Sequence, residues 1–163
     1  MEELLLSLAQ LAIAILLSAI GAFLAMYMVQ WFTRDIDEWQ ELKAGNAAIG
    51  IVLGAATLGA AILLRPALVV DTRPLDMGRT TAFVEILLTQ AFQLAIGLLL
   101  TVITLALALY LFASLTRRID EVAELKKGNL AMAGLLSGVI IGVSLMVSQS
   151  IGQILSLISS FIW

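Results

Sequence analysis

A short charged segment occurs twice in this otherwise apolar chain. Residues 33–46 read TRDIDEWQELKAGN, and 83 positions later residues 116–129 read TRRIDEVAELKKGN. When residues 33–48 are aligned with residues 116–131, 11 of 16 positions are identical without a gap. The same offset also pairs residues outside these segments, namely Glu2 with Glu85, Gln10 with Gln93 and Tyr27 with Tyr110. The pattern predicts a tandem duplication of one unit in which a charged segment joins two apolar ones.

The apolar stretches predict transmembrane helices. Hydrophobic residues make up 61% of the chain, charged residues only 13%, and the mean hydropathy is +1.07. Soluble domains are usually about 25% charged, and a helix needs about 20 apolar residues to cross a bilayer. The sequence therefore predicts an all-α integral membrane protein with four transmembrane helices, over residues 4–32, 47–64, 82–115 and 130–163.

The duplication predicts how the chain is divided. We expect a first two-helix transmembrane repeat over residues 1–70, an extracytoplasmic linker loop over residues 71–81 and a second two-helix transmembrane repeat over residues 82–163. Because two spans return the chain to its starting side, both repeats enter the membrane in the same sense. They are predicted to be parallel repeats related by a pseudo-twofold axis along the membrane normal.

Lys and Arg counts predict the orientation. Six basic residues lie in the two charged segments and three on the opposite side of the membrane: Arg34, Lys43, Arg117, Arg118, Lys126 and Lys127 against Arg65, Arg73 and Arg79. Because short cytoplasmic loops carry an excess of Lys and Arg, we expect the charged segments in the cytoplasm and both termini outside. The basic residues form no continuous face, so no nucleic-acid partner is expected.

The two charged segments, which we call the first hinge (residues 33–46) and the second hinge (residues 116–129), carry most of the charged candidates. Carboxylates alone suit Mg2+ or Ca2+, but no phosphate-binding glycine loop or second ligand class accompanies them. We expect an ion-pair network between the two halves or a docking surface for a cytoplasmic protein, and no metal. The residues are Arg34, Asp37, Glu38, Glu41, Arg117, Asp120, Glu121 and Glu124.

Each hinge ends in a Gly-Asn pair, Gly45-Asn46 and Gly128-Asn129. Glycine suits the left-handed residue past a helix end, and an asparagine side chain can cap the helix that follows. These pairs predict tight corners between a short amphipathic helix and the next span.

Small residues recur along the second and fourth spans. Small residues four positions apart let a neighbouring helix approach closely in lipid. We expect these faces to pack within the chain or between chains, which implies a homo-oligomer. A pore lining is the alternative. The glycines are Gly50, Gly54, Gly134, Gly138 and Gly142, and Ser144, Ser148, Gly152, Ser156 and Ser160 continue the pattern.

Several polar residues fall at a similar depth near the outer side of the membrane, namely Gln10, Glu85, Gln93 and Gln149. Polar groups inside a membrane tend to face a bundle interior or a water-filled path, so one interpretation is a polar path. The other is that the glutamines hydrogen-bond to lipid headgroups and that Glu85 is a solvated helix end.

Several kinds of chemistry are excluded or unsupported. The chain contains no Cys and no His, so disulfides, thiolate nucleophiles and imidazole bases are excluded. No nucleophile is paired with a base, as covalent catalysis requires. We expect no enzymatic activity and no cofactor.

The hinge residues also carry a family resemblance. With Ile36-Asp37-Glu38, Glu41-Leu42 and Gly45-Asn46, and their second copies Ile119-Asp120-Glu121, Glu124-Leu125 and Gly128-Asn129, the chain resembles over its full length the YjfL-like inner-membrane proteins, domain-of-unknown-function family 350. The resemblance implies a duplicated two-helix unit in the inner membrane of a prokaryote. By association it implies a role in membrane stress or envelope maintenance.

Two hypotheses of different classes follow. The first is a self-associating membrane scaffold with an acidic cytoplasmic docking surface. The second is a small oligomeric channel or transporter subunit with a path lined by Gln and Ser. The near absence of charge within the spans favours the scaffold.

Overall fold

Six α-helices make up the computed structural model, which describes residues 2–33, 36–68, 80–116 and 119–162. They are α1 (Glu2–Phe32), α2 (Glu38–Lys43), α3 (Ala47–Leu68), α4 (Thr80–Leu115), α5 (Glu121–Lys126) and α6 (Leu130–Ile162). The described residues include no β-strand. The all-α prediction is confirmed, and the linker predicted over residues 71–81 lies almost wholly outside the described residues.

The four long helices are the four predicted spans. Each contains a stretch long and apolar enough to cross a membrane, namely Ala14–Phe32, Ala47–Leu68, Leu88–Leu115 and Leu130–Ile158. Their outer surfaces remain rich in Leu, Ile and Phe, which is the surface that a lipid environment favours. The chain is therefore a multi-pass membrane protein.

The helix α3 continues through a proline. The sequence predicts that Arg65 and Pro66 end its straight part and that residues 67–70 can extend the span; α3 runs to Leu68 with Pro66 inside it. A proline near the end of a membrane helix is tolerated because neighbouring helices and local adjustments satisfy the freed backbone groups. Gly152 of α6 lies against it, since a Cβ at Gly152 would be 3.4 Å from the Pro66 Cβ.

The helices α3 and α4 lie at the centre of the bundle. Each packs against the other three long helices, whereas α1 and α6 have no comparable contact with each other among the described residues. The helices α3 and α6 run parallel, because Ser137 Oγ donates to the Ile51 carbonyl, 3.4 Å away, and Gly152 lies near Pro66 further along. The core combines small residues of α3 with large residues of α4 and α6, such as Phe112 and Ile140.

Three glycines allow the closest helix contacts. A Cβ at Gly21 would lie 2.2 Å from Leu64 Cδ1, one at Gly59 2.8 Å from Ser144 Oγ, and one at Gly97 2.6 Å from Ala67 Cβ. A larger residue at these positions would force the helices apart. These contacts join α1 to α3, α3 to α6 and α4 to α3.

The predicted pseudo-twofold axis is not confirmed. A twofold axis between α3 and α6 would bring the same face of each repeat together. Instead, the α3 face around Gly59 meets the α6 face around Ser144. These two faces are not repeat-related, because the 83-residue offset pairs Gly59 with Gly142 and Ala61 with Ser144.

Candidate functional site: the paired hinges and the outward face of α6

Each hinge begins with a threonine that ends the preceding span. Thr33 Oγ1 lies 2.8 Å from the Val29 carbonyl, and Thr116 Oγ1 lies 2.8 Å from the Phe112 carbonyl. Each hydroxyl also pairs with the carboxylate five residues later, Thr33 with Glu38 and Thr116 with Glu121. A hydroxyl has one proton, so it donates either to the carbonyl or to the carboxylate. The threonine therefore ties the end of the span to the short helix that follows.

An aspartate starts each short helix. Asp37 Oδ1 accepts a hydrogen bond from the Gln40 backbone N–H at 3.0 Å, and Asp120 Oδ1 accepts one from the Ala123 backbone N–H at 2.9 Å. Both aspartates have extended backbone angles, as an N-cap residue requires. These two acids therefore stabilise α2 and α5 locally.

The Gly-Asn pairs form the corners that their sequence predicts. Gly45 has φ of 83° and Gly128 has φ of 77°, in the left-handed region that only glycine enters at little cost. Asn46 Oδ1 accepts from the Ala48 N–H at 3.1 Å, and Asn129 Oδ1 accepts from the Ala131 N–H at 3.1 Å. Each asparagine thus caps the span that begins after it.

The asparagine amide groups also bind the last acid of each hinge. Asn46 Nδ2 donates to Glu41 Oε2 at 2.9 Å, and Asn129 Nδ2 donates to Glu124 Oε2 at 2.7 Å. This bond closes each hinge on itself and leaves it with the same internal geometry in both copies.

Among the hinge residues that the structure describes, only the first asparagine hydrogen-bonds to the other hinge. Asn46 Nδ2 donates to the Leu125 carbonyl at 3.0 Å and to the Lys126 carbonyl at 3.3 Å. These carbonyls belong to the last turn of α5, and the Leu125 carbonyl also accepts from the Gly128 backbone N–H at 3.0 Å. The two hinges therefore lie side by side at one end of the bundle.

The surroundings of the two hinges differ. Thr33 and Glu38 are buried, whereas Thr116 and Glu121 are only partly buried. Ile36 is 6% exposed, but its counterpart Ile119 is 48% exposed. The second hinge therefore presents surface that the first hinge has covered.

One ion pair occurs in the described part of the hinges. Lys127 Nζ lies 2.7 Å from Glu124 Oε1. The hydrogen bonds from Lys127 and then from Asn129 hold the pKa of Glu124 below its ordinary value. The same Glu124 bond raises the pKa of Lys127.

The ion pairs predicted between the two halves involve Arg34 and Arg117, which lie outside the described residues, so that network stays a prediction. The acids have local partners instead: Asp37 and Asp120 cap helices, Glu38 and Glu121 pair with threonines, and Glu41 and Glu124 bind asparagines. Among the described residues no group of three or more His, Cys, Asp or Glu is placed to hold a metal ion.

The predicted packing glycines of α6 point away from the chain. A Cβ added at Gly134, Gly138 or Gly142 would meet nothing within 4 Å, and the same is true of Gly54 on α3. Gly50 has only an ordinary contact with Leu42, at 3.5 Å. The glycines therefore belong to a surface that we call the outward face of α6: Ala131, Gly134, Leu135, Gly138, Gly142, Met146, Gln149 and Ser150.

The structure describes the side chains of two residues of the predicted polar path, Gln93 and Gln149. Gln149 is exposed on α6, and Gln93 is partly buried on α4. The side chains of Gln10 and Glu85 lie outside the described residues. Gln90 is buried, and its Oε1 atom has no hydrogen-bond partner.

Several contributing residues are not singled out by the sequence pattern. Gly21 and Gly97 make close helix contacts, but each is an isolated glycine without a recurring spacing. Thr33 and Thr116 are conspicuous only because both stand at the same place in the repeated segment. Their position directly before the acidic run is the signal that identifies them.

The four spans and the paired hinges define a multi-pass helical membrane protein with two equivalent polar corners at one end. The family described as Domain of Unknown Function (DUF350) matches residues 2–101 and residues 86–163. The chain belongs to this family. No match was found among curated proteins or among solved structures.

Proposed function

We propose that the protein is a non-enzymatic membrane scaffold that self-associates through outward helix faces. The observation that carries the proposal is the outward face of α6, where Gly134, Gly138 and Gly142 meet nothing within 4 Å. In lipid, helices associate through close packing at small residues rather than through a hydrophobic drive. A second helix can approach this backbone closely.

Polar residues on the same helix support the proposal. Gln149 and Gln153 are exposed beyond the glycines, at the opposite end of α6 from the hinges. A glutamine amide facing hydrocarbon would leave strong hydrogen-bonding groups unsatisfied. A neighbouring chain provides partners for them.

We further propose that the hinges face the cytoplasm of a prokaryotic cell and provide a docking surface for a cytoplasmic protein. The basic residues of the hinges favour this orientation. The exposed Asp37, Asp120 and Trp39 give the surface both charged and apolar groups. A role in envelope maintenance is consistent with such a scaffold.

Measurement of the native mass in lipid nanodiscs tests self-association. The unmodified chain should be an oligomer, and Gly138→Leu should shift it to smaller species because a leucine blocks close approach. Gly54→Leu tests whether a second outward glycine, on α3, also takes part in self-association. Ala12→Leu, on a lipid-facing part of α1, serves as a control. A monomeric unmodified chain, or an unchanged mass for Gly138→Leu, would contradict the proposal.

A second candidate function is a small channel between chains. The exposed Gln149 and Gln153 favour it, because polar side chains at membrane depth commonly face water-filled paths. Ion flux into liposomes tests it. Flux that is selective, and that is abolished by Gln93→Leu together with Gln149→Leu, would replace the scaffold-only function, whereas equal flux with and without protein would exclude the channel.

A further inference from the structure

The outward face of α6 has a buried counterpart on α3. At the 83-residue offset, Val52 is 1% exposed and Leu135 is 56% exposed, while Leu63 is 0% exposed and Met146 is 81% exposed. The difference continues along the whole face: Ala48, Ala55, Gly59 and Ala67 are buried, whereas Ala131, Gly138 and Ser150 are exposed and Gly142 is partly exposed. The face that is buried on α3 in the first repeat is therefore exposed on α6 in the second repeat.

The second repeat of the same chain covers the α3 face. A Cβ at Gly59 would lie 3.1 Å from Ile140 Cγ2 of α6 and 3.5 Å from Leu105 Cδ2 of α4. Further out, Gly97 of α4 approaches Ala67. The α3 face is therefore the surface on which α4 and α6 pack.

The surfaces of α4 and α6 that make this contact also have uncovered counterparts. Gly97 and Leu105 of α4 are buried, whereas the matching Ala14 and Ala22 of α1 are partly exposed. On α6, Ser137 and Ser144 are buried, whereas the matching Gly54 and Ala61 of α3 are exposed. The first repeat thus carries an unused copy of the surface that the second repeat uses.

We infer that the first repeat of a second copy of this chain docks on the outward face of α6, in the way that the second repeat docks on α3. The inference rests on the proposed self-association and specifies its geometry. The contact is head-to-tail, because it joins two different surfaces of the chain. Such contacts produce closed rings or open arrays rather than isolated twofold dimers.

The hinges provide an independent observation for the same contact. Asn46 Nδ2 donates to the Leu125 carbonyl, and the repeat-related bond would run from Asn129 to the Leu42 carbonyl. Among the described residues, Asn129 Nδ2 donates to Glu124 and to no carbonyl. Docking of a second copy places its Leu42 carbonyl beside Asn129 and covers the exposed Ile119.

Cysteine cross-linking in membranes tests the contact, and the natural chain has no Cys to interfere. The Gly97 and Ala67 contact within the chain corresponds to Ala14 of one copy against Ser150 of the next. A Cβ at Gly97 would lie only 2.6 Å from the Ala67 Cβ, so the helices must stand further apart at Ala14, which brings its Cβ to a distance that a disulfide can span. Two differently tagged chains, Ala14→Cys and Ser150→Cys, are co-expressed and oxidised. We expect a mixed dimer at about tenfold the yield given by Ala12→Cys with Ser150→Cys, because a disulfide requires Cβ atoms about 3.5–4.5 Å apart.

Two controls make the result decisive. Pro66→Cys with Gly152→Cys in one chain should form an internal disulfide, since the two Cβ positions are 3.4 Å apart; this verifies folding and oxidation. A native mass measured on the same samples separates the two proposals. A monomer overturns both self-association and the head-to-tail contact. An oligomer without the mixed dimer, or one in which Ser150→Cys chains link only to each other, overturns the head-to-tail contact alone.

Discussion

The first and second hinges make the same local hydrogen bonds in different surroundings. Both contain a threonine paired with a glutamate, an aspartate cap and a Gly-Asn corner. The first hinge buries Thr33, Ile36 and Glu38 and binds the second through Asn46, whereas the second leaves Ile119 exposed. Local sequence thus determines the internal geometry of a hinge, and packing of the long helices determines which of its residues are covered.

The largest expected effect is a difference in stability between a substitution at Gly59 and the same substitution at its repeat counterpart, Gly142. Gly59→Leu should destabilise the isolated chain by at least about 1–3 kcal/mol, the usual cost of overpacking, because its Cβ would already meet Ser144 and Ile140. Gly142→Leu should leave the stability of a detergent-solubilised monomer nearly unchanged. Reversible unfolding in mixed micelles, followed by circular dichroism, measures both. Equal losses would show that the two faces are equally packed.

The hinge glycines should behave alike in both copies. Gly45→Ala and Gly128→Ala should each cost about 1–2 kcal/mol, because a side chain is strained in the left-handed conformation. Unfolding free energies of the two variants provide the measurement, and Gly134→Ala, at an open helical position, is the control. A large difference between the two variants would mean that the residues packed around each corner, and not its backbone conformation, determine the cost of the substitution.

Substitutions of Asn46 and Asn129 should differ in their effect on stability, because only Asn46 makes the hydrogen bond between the hinges. Asp retains the oxygen that caps the next helix but lacks the amide donor, so Asn46→Asp and Asn129→Asp share every loss except the bonds to Leu125 and Lys126. We expect Asn46→Asp to be less stable by about 0.5–1.5 kcal/mol, the net value of one hydrogen bond. The unfolding free energies measure this difference, and identical values would argue against the bridge between the hinges.

The smallest expected effect is the titration of Glu124. Its lowered pKa means that its contribution to stability is present above its ordinary pKa and is lost as the pH falls through the lowered value. Lys127→Met should raise the pKa of Glu124 towards its ordinary value, so that this contribution becomes smaller and its loss is complete at higher pH. Carboxyl NMR titration measures the shift. Lys126→Met should not change the titration, and an unchanged pKa in Lys127→Met would exclude the pair.

The fold could be predicted largely from the sequence because its determinants are local. Long apolar stretches specify spans in lipid, and the Gly-Asn pairs specify corners with one chemically suitable conformation. The continuation of α3 through Pro66 was left open by the sequence, because the neighbours of Pro66, including Gly152, come from distant parts of the chain.

The candidate site was less predictable. Both copies of the hinge have nearly the same sequence, so no local signal reveals that Ile36 is buried and Ile119 is not. The glycine pattern of α6 indicates a packing face but does not tell whether the partner lies in the same chain. The unpartnered Oε1 of buried Gln90 likewise depends on the positions of neighbouring helices.

The hydroxyl groups within the spans have a consequence for biogenesis. Thr57, Thr101, Thr104 and Ser144 each bond the carbonyl four residues earlier in their own helix. These four hydroxyls therefore do not require a neighbouring helix when α3, α4 and α6 enter the bilayer during synthesis, and the glutamine amides are among the polar groups that gain a partner from later assembly.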